Sequence, residues 1–156
     1  MAEPSEHPEE TQAQRLNRNF NELLQELRVT QTGVQILTGF LLPLPFTQRF
    51  ETLDVVQKRV YLGVLVGSVL ATGFIITPVA LHRMLFRRGK RVWLVQAADR
   101  SARAGLLALA LTTSGVVWLV FDLVTNRVAA TVAGVLSILF FLSLWVAVPV
   151  LRHNDD

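Results

Sequence analysis

The stretch ELRVTQTGVQILTGFLLPLPF, residues 26–46, runs from charged residues into an apolar segment yet keeps Gln31, Thr32, Gln35 and Thr38 inside it. Its apolar part, 29–46, has 18 residues, the short end of what a helix needs to cross about 30 Å of hydrocarbon at roughly 1.5 Å per residue. Whether it crosses decides between an odd and an even number of membrane spans. Leu23, Leu24 and Leu27 can lengthen it on one side, so it reads as the first of four.

The other three are plainer. Residues 60–81 (VYLGVLVGSVLATGFIITPVAL), 104–124 (AGLLALALTTSGVVWLVFDLV) and 128–151 (VAATVAGVLSILFFLSLWVAVPVL) are each 21 to 24 residues long with at most one ionisable group. They hold most of the excess in a chain of 156 residues that is 51% hydrophobic. The expected fold is all-α, a four-transmembrane-helix bundle with an N-terminal amphipathic helix leading into the first span. Residues 1–12 are acidic and Pro-containing, unlike a cleaved signal peptide, and read as a disordered tail. Residues 13–151 form one membrane domain, with the amphipathic helix at 15–28 and a basic loop at 82–103, and 152–156 are a short tail. In 15–28, RLNRNFNELLQELR, the residues Leu16, Phe20, Leu23, Leu24 and Leu27 make one apolar stripe at helical spacing.

Basic residues resist translocation, and eleven of the 15 fall before the first span, in 82–103 or at Arg152, against four in the opposite loops. This bias places both termini and the long loop on the cytoplasmic side, which requires an even number of spans, and the excess of Arg over Lys, 13 to 2, suggests a GC-rich bacterial genome and hence a bacterial cytoplasmic membrane. The loop's Arg83, Arg87, Arg88, Lys90 and Arg91, with Trp93 beside them, suit anionic lipid headgroups of the cytoplasmic leaflet. The topology already accounts for these charges, so nucleic acid is not an expected partner.

Polar groups within the spans carry the functional question. At about 100° per residue, Arg28, Gln31, Gln35 and Thr38 fall within an arc of roughly 80°. Such a stripe is expected to hydrogen-bond neighbouring helices; the alternative is that it lines a solvated conduit. Small residues make packing seams: Gly63, Gly67 and Ala71 in the second span, Ala104, Ala108 and Gly115 in the third, and Ala130, Ala133, Gly134 and Ser137 in the fourth. A seam left over would serve a homodimer or a membrane-protein partner. Asp122 is the one acidic residue within a span. It is expected to pair with Arg127, Arg49 or Arg59, or, with His82, to form a cation or proton site. The absence of cysteine excludes disulfides and thiol chemistry. No nucleophile–base pair or metal-ligand spacing occurs in the sequence, so neither catalysis nor a cofactor or metal is expected.

Read together, ELRVTQTGVQ, the LPF after the first span, the stretch LDVVQKRVY and PVALHRMLFRR after the second span resemble a family of small actinobacterial integral membrane proteins known as a domain of unknown function. The resemblance implies four spans without an established activity; some members carry an automatic sodium:proton antiporter label. Antiporters generally bind their ion at carboxylates near mid-membrane, and none lies there in this sequence. The expected function is therefore structural or accessory, binding anionic lipid and a membrane partner or itself. The alternative is an oligomeric cation/proton antiporter-like transporter.

Overall fold

The computed structural model describes residues 12–85 and 91–147, and every element in them is helical. In order they are α1 (Gln12–Leu41), a 3-10 turn (Leu44–Phe46), α2 (Gln48–Glu51), α3 (Val55–Leu85), α4 (Arg91–Val124) and α5 (Arg127–Leu142), the last continuing as a π-helical turn over Ser143–Ala147. Among the described residues three stretches are long and apolar enough to cross a membrane: Val55–Leu81, Gln96–Val124 and Arg127–Trp145. With 30 residues α1 has the length but not the apolarity to join them.

Two helices, α3 and α4, outrun the apolar blocks that announce them. The segment 82–103, expected as a loop, is mostly helix, because α3 continues to Leu85 and α4 begins at Arg91. Hydropathy marks the layer of oil, whereas backbone hydrogen bonding continues through Arg, Ala, Leu and Gln, all good helix formers. Likewise 15–28 and 29–46 are not two elements: α1 runs unbroken through both and stops at Leu41 rather than at 46. Leu42 N–H still bonds Thr38 O at 3.0 Å, but Pro43 and Pro45 have no N–H with which to continue.

α3 and α4 form the principal antiparallel pair, α5 packs on α4, and α1 lies chiefly along α3. One core cluster joins Leu27 and Val34 of α1 to Ala71 and Ile75 of α3 and Ala102 of α4. Nearer the other end, Leu41 meets Tyr61, Val64 and Leu119. Beside these larger residues the interior takes small or polar side chains, among them Ala71, Ser68, Thr112 and Ser114, while Leu62, Val66, Leu111, Val132 and Leu136 point outward. A bulky apolar exterior over helices that meet through small residues is the pattern of a membrane protein, held by close packing rather than by escape from water.

Two prolines are matched by hydroxyls on neighbouring helices. Pro45 leaves the carbonyl of Leu41 without its helical donor, and the buried Tyr61 hydroxyl donates to it at 3.0 Å. Pro78, inside α3, frees the carbonyl of Phe74, and Ser101 Oγ of α4 donates to that oxygen at 2.7 Å. Ser101→Ala is expected to lower stability by about 1–2 kcal/mol, the cost of one orphaned carbonyl in apolar surroundings. Unfolding in mixed micelles by SDS titration reads it, and an unchanged midpoint would count against this role.

Small residues set how close the helices come. A Cβ on Gly67 would lie 2.4 Å from Thr112 Oγ1, and one on Gly105 would lie 2.8 Å from Ile75 Cγ1 and 3.4 Å from the Ile75 backbone nitrogen. In the α4–α5 contact Gly134 sits against Trp118, with 3.2 Å from such a Cβ to the ring. Ala71, Ala130 and Gly134 are buried and Ser137 is half-buried, but Gly63 is exposed with open space beside it. There α3 and α4 part into an apolar groove of about 360 Å³ edged by Val66, Leu70 and Leu111.

Candidate functional site

The densest cluster of polar side chains among the described residues lies where α3 begins and α4 gives way to α5. The sequence LDVVQ starts α3 with a reciprocal cap: Asp54 Oδ1 accepts from the backbone N–H of Val56 (2.7 Å) and Gln57 (2.9 Å), while Gln57 Oε1 accepts from Asp54 N–H at 2.9 Å. The other end of that amide, Gln57 Nε2, donates to Asp122 Oδ2 of α4 at 2.8 Å. Both halves of the Gln57 side chain are thereby engaged. Across the short turn, Asn126 caps α5 by accepting from Ala129 N–H at 3.0 Å, which sets Arg127 at its first position.

Arg127 closes the junction. Its Nη2 donates to Asp54 Oδ2 at 2.6 Å and to Asp122 Oδ2 at 3.2 Å, and its Nε to Asp122 Oδ1 at 3.3 Å. The guanidinium also stands 5.6 Å from the Trp118 ring centroid. Asp122 is 4% exposed and Arg127 47%, so a nearly buried carboxylate is held by a cation that still meets its surroundings. Four side chains from three helices are thus tied by ion pairs and hydrogen bonds. Nothing in the arrangement offers a nucleophile poised beside a base; it fastens helix ends together.

Asp54 sits below its ordinary value of 3.8, first because the Gln57 backbone N–H donates to it; lost hydration, next in size, works the other way, and the Arg127 guanidinium adds to the lowering. A carboxyl depressed in the folded state supports folding above its unfolded value and loses that support as pH falls through the folded one. The junction is therefore whole at neutral pH and loosens on acidification below 3.8. Melting curves across this range should fall more gently toward acid for Asp54→Asn than for the parent chain.

Of the residues singled out from sequence, Asp122 and Arg127 meet here, while Arg49 and Arg59 stay outside the hydrogen-bonded cluster among the described residues. Asp122 and His82 are not brought together. Position 82 is 25 residues beyond Gln57 along α3, about 38 Å of helix. The His82 side chain lies outside the described residues, as do the side chains of Arg91 and Trp93 and the whole of Arg87, Arg88 and Lys90; Arg83 is exposed.

The stripe on α1 lies at the edge of its contact with α3 and not in it. Leu27, Val34 and Leu41 form the buried line; Gln31 and Thr38 are half-buried beside it, and Arg28 and Gln35 are exposed. Thr38 Oγ1 donates to Val34 O at 2.8 Å within α1, and among the described residues neither glutamine side chain has a partner on another helix. Asp54, Gln57 and Ser101 escape the sequence reading, although Asp54-x-x-Gln57 before an apolar run is a helix-start signal and Pro78 announces a carbonyl in need of a donor.

Residues 9–149 match a family described as a family of unknown function, DUF6328. The chain belongs to that family. The match spans the ELRVTQTGVQ, LPF and PVALHRMLFRR motifs, and the description of DUF6328 assigns no activity. No curated protein and no solved structure matches this DUF6328 chain.

Proposed function

We propose that this DUF6328 protein is a four-span integral membrane protein of structural or accessory type, resident in a bacterial cytoplasmic membrane with both termini inside. The observation that carries this reading is the commitment of Asp122. The carboxylate in the last turn of the apolar α4 is spent on Gln57 and Arg127, at the end of the helix and away from mid-membrane. An intramembrane carboxylate that serves an ion must exchange partners with it; this one holds three helices in register.

α1 is taken as the fourth span because it follows α3 over much of its length, from Leu27 beside Ile75 to Leu41 beside Tyr61, so a bilayer around α3 encloses α1 too. Its outward line of Val29, Ile36 and Phe40 suits lipid. The basic residues then put the Leu81 end of α3 in the cytoplasm, where Arg83 and the cluster of Arg87, Arg88, Lys90 and Arg91, with Trp93, meet anionic headgroups.

Purification from the native host in mild detergent should recover a stoichiometric membrane partner or a self-complex. Cation-dependent pH change in proteoliposomes that Asp122→Asn abolishes would instead establish the transporter. Anionic lipid should co-purify, and each of Arg87→Gln, Arg88→Gln and Arg91→Gln should weaken its retention by about 1 kcal/mol, read by mass spectrometry of the bound lipid.

A further inference from the structure

Gln31 and Gln35 of α1, without a partner among the described residues, lie at a particular depth. Val34 shares a cluster with Ala71 and Ile75, whereas Leu41 is level with Tyr61, so Gln35 falls opposite the middle of the Val55–Leu81 span. It is exposed there, with Gln31 half-buried one turn below and Gly39 exposed one turn above, where an added Cβ would meet nothing within 4 Å. Acyl chains offer no hydrogen-bond partner, and an amide facing them costs several kcal/mol. Arg28, on the same flank, is about 10 Å farther toward the headgroups and has the reach to place its charge among them.

We propose that this flank of α1, centred on Gln35 with Gln31 and Gly39, is the surface by which two copies of the chain associate within the bilayer. The proposal rests on α1 being the fourth span. Two copies sharing one orientation are related by a two-fold axis normal to the membrane, which sets Gln35 opposite its own image at the same depth. A side-chain amide has both a donor and an acceptor, so it is complementary in hydrogen bonding to that image and the pair closes reciprocal N–H···O bonds. Gly39 lets the two backbones approach one turn away. A different partner would need a hydrogen-bonding side chain of its own at this depth and angle; a second copy supplies one by symmetry.

The natural absence of cysteine makes the test direct, since any introduced thiol is the sole one. In liposomes at high lipid-to-protein ratio, oxidation should cross-link Gly39→Cys into dimers but not Leu139→Cys on the exposed side of α5. Adding Gln35→Leu to Gly39→Cys should weaken dimerisation about ten-fold or more, as loss of two intramembrane hydrogen bonds implies. Cross-linking of Gly39→Cys no better than Leu139→Cys overturns the proposal, as does a dimer indifferent to Gln35→Leu. If the double variant misfolds, the comparison of the two single cysteines decides. A third variant, Gly33→Cys, separates the two claims: labelling by a membrane-impermeant maleimide would show that α1 is not a span, whereas protection without cross-linking at 39 would leave the span standing and remove the dimer.

Discussion

Gly105→Leu is expected to separate α4 from α3 and to cost more than about 3 kcal/mol, with Gly105→Ala near 1–3 kcal/mol. Even the first carbon is obstructed, by Ile75 Cγ1 at 2.8 Å, Phe74 Cβ at 3.3 Å and the Ile75 backbone nitrogen at 3.4 Å. A side chain can rotate away, but a backbone atom moves only with its helix, so the larger residue must displace α3 as a body. The Ser101 bond to Phe74, one turn along α4, should break with it. Gly63→Leu provides the control, because a Cβ there meets nothing within 4 Å and its side chain enters the open groove. Parallel unfolding of the two leucine variants in mixed micelles checks the expectation; equal midpoints would show that α3 and α4 do not touch at Gly105.

Asp122→Ala should cost about 1.5–3 kcal/mol. The variant strands Gln57 Nε2 and takes from Arg127 one of its two carboxylates, in a position only 4% exposed. Larger losses are not expected, since Arg127 is 47% exposed and keeps Asp54 at 2.6 Å. Asp122→Asn retains one carbonyl oxygen to accept from Gln57 or Arg127 and should lose roughly half as much. The same unfolding assay ranks the three proteins, and an order in which Asn is worse than Ala would contradict the geometry.

The apolar helices are legible because a run of about 20 apolar residues is long enough to cross the hydrocarbon layer and satisfies its backbone there only as a helix. What hydropathy does not encode is where a helix ends in water, and so the extensions of α3 to Leu85 and of α4 back to Arg91 look like a loop in the sequence. Small residues at four-residue spacing mark the seam, but spacing carries no information on where two helices diverge. Gly67 and Ala71 are in the contact, Gly63 is outside it, and Gly105, which no pattern singles out, makes the closest approach to backbone. The α1 stripe shows the same limit. A wheel places Gln31 and Gln35 within about 80° of Leu27, yet the buried arc ends between Gln31 and Gln35 because the neighbouring line of Val34 and Leu41 fills the contact with α3. In the junction, the Asp122–Arg127 pair follows from proximity in sequence, while the links to Asp54 and Gln57 span 73 and 65 positions and are created by the fold.

The pairing of Pro78 with Ser101 bears on how the protein is made. When α3 leaves the insertion machinery it carries a bare carbonyl at Phe74 within its apolar length, and nothing inside α3 supplies the donor. The donor arrives with the next segment synthesised. Biogenesis is thereby linked to chain order: α3 reaches its full hydrogen-bond complement only as a hairpin with α4, which favours settling of the two together in the bilayer.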